Sequence, residues 1–148
     1  MSLKLQITEA MKTAMRSKDK QRLSAIRLIL ADIKRIEVDE RIDVDDQRVI
    51  SILDKMRKQR KDSISQFSTA GRDDLVAIEQ GEIDVIAEFL PEALSDEEVE
   101  AIVRKAVQVS AASGMQDMGK VMGLVKPQIQ GRADMGLVSQ QVKAALSS

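Results

Sequence analysis

The sequence of 148 residues contains no cysteine, histidine, tryptophan or tyrosine, and only two phenylalanines and two prolines. Without cysteine there is no disulfide framework, no thiolate nucleophile and no cysteine metal site. Without histidine, the commonest general base and zinc ligand are missing as well. These absences exclude most familiar catalytic machinery, and we expect neither a metal nor a cofactor.

Long uncharged apolar runs are also missing. Residues 1–14 are amphipathic and interrupted by charges, unlike a signal peptide, and no segment is both apolar enough and long enough to cross a membrane. The default expectation is a cytoplasmic protein.

The residues that are present favour an all-α fold. Hydrophobic residues make up 43% of the chain and are almost entirely aliphatic, with eight methionines. Their spacing predicts long amphipathic helices over residues 3–16, 20–40, 45–68 and 73–90. We therefore expect an N-terminal helical bundle or hairpin domain.

A domain boundary is predicted around Pro91. Proline disfavours helical geometry in the residue before it, and Ser95 and Glu98 then have the spacing of a capping box, so a new helix begins there. Three short helices near 95–113, 117–128 and 134–146 follow, with Gly114 and Gly131 as helix stops. The expected domains are an N-terminal helical domain, 1–92, and a small three-helix tail, 93–148.

Charge is strongly segregated along the chain although the formal net charge is only −1. Residues 1–35 hold nine basic and three acidic residues, residues 72–100 hold eleven acidic residues and one arginine, and residues 101–148 hold six basic and two acidic residues. Two interpretations remain open. The basic ends attract a polyanion, or basic and acidic helices attract each other within the molecule.

Basic residues in the third helix also allow two interpretations. Arg60 projects from an apolar stripe and needs a partner, which a helical hairpin would supply as Glu79 or Glu82. A structural ion pair is one reading, and a substrate or phosphate site is the other. The wider basic run, residues 55–61, is either a solvated helix surface or a polyanion site.

The tail offers a second basic cluster. Lys120, Lys126 and Arg132 lie near helix ends and the Gly131 turn, where cations and backbone amides can approach phosphates together. Gly119 and Gly123 are four residues apart, which favours either tight packing inside the tail or close approach of another helix or of a nucleic-acid backbone. Because no aromatic residues are interleaved with the basic residues for base stacking, RNA would be recognised by shape and phosphate.

In order and spacing, several segments resemble the GatB/YqeY family, whose tail module ends the B subunit of glutamine-dependent tRNA amidotransferases and also occurs in free-standing proteins. The segments are residues 22–34, 60–75, 89–95, 117–127 and 130–134. The resemblance covers nearly the whole chain.

This resemblance implies a non-catalytic, tRNA-associated protein that contacts tRNA through Lys120, Lys126, Gly131 and Arg132. The family label groups it with carbon–nitrogen ligases that use glutamine as amido-N-donor, but no segment resembles the kinase-like cradle or the amidase subunit. No catalytic residue is therefore implied. The rival hypothesis is a helical protein-interaction adaptor without RNA binding, with a partner from the translation or aminoacylation machinery possible under either reading.

Overall fold

The computed structural model describes residues 1–147, and these residues are helical with no β-strand, which confirms the all-α prediction. The chain divides into two compact units, one of residues Met1–Leu90 and the other from Pro91 onward. The helices are α1 Leu3–Ser17, α2 Lys20–Glu40, α3 Asp46–Thr69, α4 Asp73–Glu88, α5 Asp96–Ser110, α6 Met118–Ile129 and α7 Met135–Ser147, and a short 3-10 turn, Met115–Asp117, leads into α6.

Side-chain caps fix where four of these helices begin. The oxygens of Ser2, Asp19, Asp45 and Ser95 each accept the backbone N–H three residues further on. The distances for Asp45 and Ser95 are 2.8 Å and 3.2 Å. Such a cap satisfies one of the amides that a helix leaves unpaired at its start.

Non-glycine residues close three helices in the left-handed backbone region. Lys18, Arg41 and Ala111 have φ angles of 58°, 54° and 53° and follow α1, α2 and α5. Helix α5 therefore ends at Ser110, earlier than expected from Gly114, which instead precedes the 3-10 turn.

In the first unit, α3 and α4 form a hairpin, and α2 packs against both α1 and α4. Gly71, in the turn of this hairpin, has a φ of 71°, which glycine adopts without strain. The core is aliphatic throughout and consists of Ile7, Ala14, Ile26, Ile29, Ile33, Val44, Val49, Ile52, Leu53, Met56 and Ile86.

In the second unit, each of α5, α6 and α7 packs against the other two. Their inward faces bury Val99, Val103, Ala106, Val121, Val125, Ile129, Val138, Val142 and Leu146. Because one stripe of each helix is buried in this way, the opposite face of α6 points away from the core.

Candidate nucleic-acid interface

The outer face of α6 carries a line of residues without long side chains. Val121, Val125 and Ile129 are fully buried and define the inner face of the helix. Gly119, Gly123 and Pro127 recur every four residues on the opposite, exposed side. We call Gly119, Lys120, Gly123, Lys126 and Pro127 the α6 outer face.

The two glycines of this face do not serve internal packing. Apart from the neighbouring residues and the nearby backbone of α6 itself, no atom lies within 4 Å of the position where a Cβ would stand at either glycine. Tight packing inside the tail, one of the two readings of the sequence, is therefore wrong. Glycine in a helix interior lowers stability by about 1 kcal/mol relative to alanine. Packing within this unit does not explain why that loss is tolerated.

Two lysines flank the glycine line. Lys120 is 71% exposed, and its Nζ lies 3.9 Å from Asp117 Oδ1, at the outer limit of an ion pair. Lys126 is exposed and has no ion pair among residues 1–147. The α6 outer face therefore presents bare backbone between two solvated cations.

Gly131 and Arg132 lie beyond the end of α6 and help to build the tail itself. Gly131 is buried with a φ of 80°, so it shapes the turn and has no exposed surface to offer. Arg132 is half-buried, and its Nε donates to the Glu92 carbonyl at 3.0 Å. The Leu94 amide donates to the Arg132 carbonyl at 2.8 Å. These bonds tie the start of the tail to the turn between α6 and α7.

Acidic partners inside the first unit hold three residues of the basic run of α3. Arg57 Nη2 lies 2.6 Å from Asp54 Oδ1, and Lys58 Nζ lies 3.7 Å from Asp54 Oδ2. Arg60 pairs with Glu82 across the hairpin. Asp54 is buried, and sequence reasoning missed it because an acid within a basic run looks like a surface residue. These pairings weigh against a polyanion site on α3.

Comparison with known proteins shows which family this chain belongs to. The model of the family described as Yqey-like protein matches residues 4–146, which confirms the expected resemblance. Altered inheritance of mitochondria protein 41 from Pyrenophora tritici-repentis is 33% identical over 141 residues, covering 93% of this chain and 77% of that protein. Its namesake from Saccharomyces cerevisiae is 34% identical over 119 residues, covering 76% of this chain.

A third relative of the same name, from Meyerozyma guilliermondii, is 33% identical over 118 residues and 78% of this chain. The matches cover 64% of the Saccharomyces protein and 62% of the Meyerozyma protein, so the chain spans less than two thirds of each. None of these three names mentions tRNA or an amidotransferase.

All three relatives are named as mitochondrial proteins. The cytoplasmic location expected from the sequence is wrong by this comparison. Within residues 1–147, no helix combines the length and the apolar character that crossing a membrane requires.

Proposed function

Because the chain belongs to the Yqey-like protein family, we propose that its C-terminal unit is a non-catalytic module that binds tRNA through the α6 outer face. The observation that supports this most is the pair of outward-facing glycines, which share one face of α6 with Lys120 and Lys126. Gly131 and Arg132 then have an indirect role, holding the turn that ends α6.

The physical basis is access to the phosphate backbone. Two glycines in succession on one face remove the side chains that would otherwise hold a bulky polyanion several ångströms from the helix. Lysines on either side supply positive charge where phosphates would lie, and they release counterions on binding. Recognition of this kind reads RNA shape and not base sequence, since residues 91–148 contain no aromatic residue for stacking.

In this role the chain catalyses no reaction. The family label of carbon–nitrogen ligase with glutamine as donor refers to proteins that carry additional catalytic parts. No segment of this chain resembles those parts. Several exposed acids of this chain stand at helix starts or in ion pairs, as Asp96 and Asp74 do. A supporting role beside RNA is the function that this arrangement favours.

Fluorescence titration of the full chain against bulk tRNA and a length-matched RNA duplex, at two salt concentrations, tests the proposal. Wild type should prefer tRNA and lose affinity as salt rises. Replacing both Lys120 and Lys126 by Ala should reduce the salt slope by about one to two, the number expected for two lost phosphate contacts. Lys105→Ala, at an exposed position on α5, is the control.

Equal affinity and an unchanged slope for the double variant would exclude the α6 outer face. Failure of wild type to bind tRNA even at low salt would instead favour the adaptor without RNA binding.

A further inference from the structure

The first unit has an open groove between α2 and α4 that is separate from the α6 outer face. Its volume is about 500 Å³, and Ala25, Ala77, Gly81 and Val85 are among the residues that line it. A second hollow of about 320 Å³ continues along α2 and shares Ser24 with the first. Together they form what we call the α2/α4 groove.

Large aliphatic side chains are exposed along this groove. Ile78 on α4 is 57% exposed, and Leu28 on α2 is 42% exposed. Both line the groove. Each side chain left in water forgoes the stabilisation that burial provides, so exposed aliphatic residues along a concave surface indicate a site that another molecule covers.

Gly81 lies in the interior of α4, within the same groove. Apart from the neighbouring residues and the nearby backbone of α4 itself, no atom lies within 4 Å of the place where its Cβ would be. The packing of this chain therefore gives no reason for a glycine at a position where alanine makes a more stable helix. A bare backbone at the floor of a groove allows another helix to approach closely.

Charge at the edge of the groove indicates which kind of helix would fit. Lys20 and Arg27 line the α2 part, are exposed, and have no ion pair among residues 1–147. Two acids also line the groove, and each already accepts a hydrogen bond. Glu82 accepts from Arg60, and Asp19 accepts from the Arg22 amide at the start of α2.

We propose that the α2/α4 groove docks an acidic amphipathic helix of a partner protein. The apolar side of that helix covers Ile78 and Leu28, its closest approach is at Gly81, and its carboxylates meet Lys20 and Arg27. Nucleic acid fits less well because its charged phosphates would lose water against aliphatic side chains without gaining a polar partner there. This inference is independent of the proposed RNA binding, which uses the other unit.

Site-specific photocrosslinking in a lysate of the source organism tests the proposal. A benzoylphenylalanine is placed at Gln21, on the groove, and at Gln66, an exposed control position on α3. Mass spectrometry then identifies the crosslinked peptide. We expect a specific adduct only at Gln21, with a peptide that is net negative and apolar at helical spacing.

Two further variants make the result decisive. Gly81→Leu fills the groove, and Lys20→Glu with Arg27→Glu reverses its charge. Each should reduce the adduct about tenfold or more, as expected for loss of a central interface contact. Thermal unfolding checks that both variants fold. Adducts that persist in these variants, a basic or nucleic-acid partner, equal crosslinking at Gln66, or no adduct at Gln21 would each overturn the proposal.

Discussion

Arg60 on α3 donates its Nε hydrogen to Glu82 Oε2 on α4 at 2.7 Å, and the two side chains are only 15% and 21% exposed. Arg60 Nη1 also donates to the Met56 carbonyl at 3.2 Å. The guanidinium is thus anchored to its own helix while it holds the opposite one. Glu79 is the neighbouring acid, and its pKa is raised, mainly by burial and then by the charge of Glu82, with Arg60 opposing.

Replacing Arg60 by Ala should lower the free energy of unfolding by about 3 kcal/mol, because Glu82 would remain partly buried without its partner. Urea denaturation measures this loss. Lys61 is the next residue and is exposed, so Lys61→Ala is the control. It should change stability by less than about 0.5 kcal/mol.

A double variant separates the ion pair from the general effect of substitution. Arg60→Met with Glu82→Leu removes both charges and keeps aliphatic volume, so it should be markedly more stable than Arg60→Ala. If Arg60→Ala unfolds at the same urea concentration as wild type, the pair does not fix the hairpin.

Stability at acidic pH should depend on Glu37. Its Oε2 accepts from Lys4 Nζ at 2.7 Å and from the Val44 amide at 3.2 Å. The hydrogen bond from Lys4, followed by that from Val44, lowers the pKa of Glu37 below its ordinary value of 4.5. Because the folded pKa is the lower one, the stabilisation is complete above the unfolded value and is lost as pH falls through the folded value.

Unfolding midpoints measured from pH 7 downward test this direction. Wild type should lose stability below about pH 4.5 more steeply than Glu37→Gln, which lacks the titrating carboxylate. Lys4→Met removes the largest cause of the shift and should flatten the same part of the curve. Parallel curves for all three proteins would contradict this role of Glu37.

Glycines on the α6 outer face should show opposite effects on stability and on RNA affinity. Gly119→Ala and Gly123→Ala place a methyl group in open space and should each raise stability by about 0.5–1 kcal/mol. The same methyl groups should weaken tRNA binding, because they hold the phosphates away from the helix. Thermal unfolding and tRNA titration of each variant measure the two effects.

Gly81→Ala is the matched control for these variants, since it also adds a methyl group in open space on a helix. It should raise stability by a similar amount and leave tRNA affinity unchanged. If Gly119→Ala and Gly123→Ala bind tRNA with the affinity of wild type, the two glycines are not part of the contact surface.

Local sequence predicted the helices closely, because periodic aliphatic residues and polar caps act within a few residues of one another. Asp45 and Ser95 cap α3 and α5 where their spacing placed them. The ends were predicted less well. Ala111 closes α5 in a left-handed conformation that its own side chain disfavours, so the path of the following chain decided that boundary.

The candidate site shows the same division between local and tertiary information. From the sequence alone, Lys120, Lys126, Gly131 and Arg132 formed one basic cluster, but the fold leaves the lysines on an open face and buries Gly131. Spacing also could not choose between Glu79 and Glu82, which lie on the same side of α4. The relative position of α3 and α4 along their axes brings Arg60 to Glu82.

The sequence by itself determined an all-helical chain with an aliphatic core and a charge imbalance between its segments. These properties depend on composition and on side-chain period, which each segment carries on its own. Tertiary structure decided which cations are neutralised by a distant acid, as with Arg60, and which glycines face solvent, as with Gly119 and Gly123. Those outcomes depend on contacts between residues that only packing brings together.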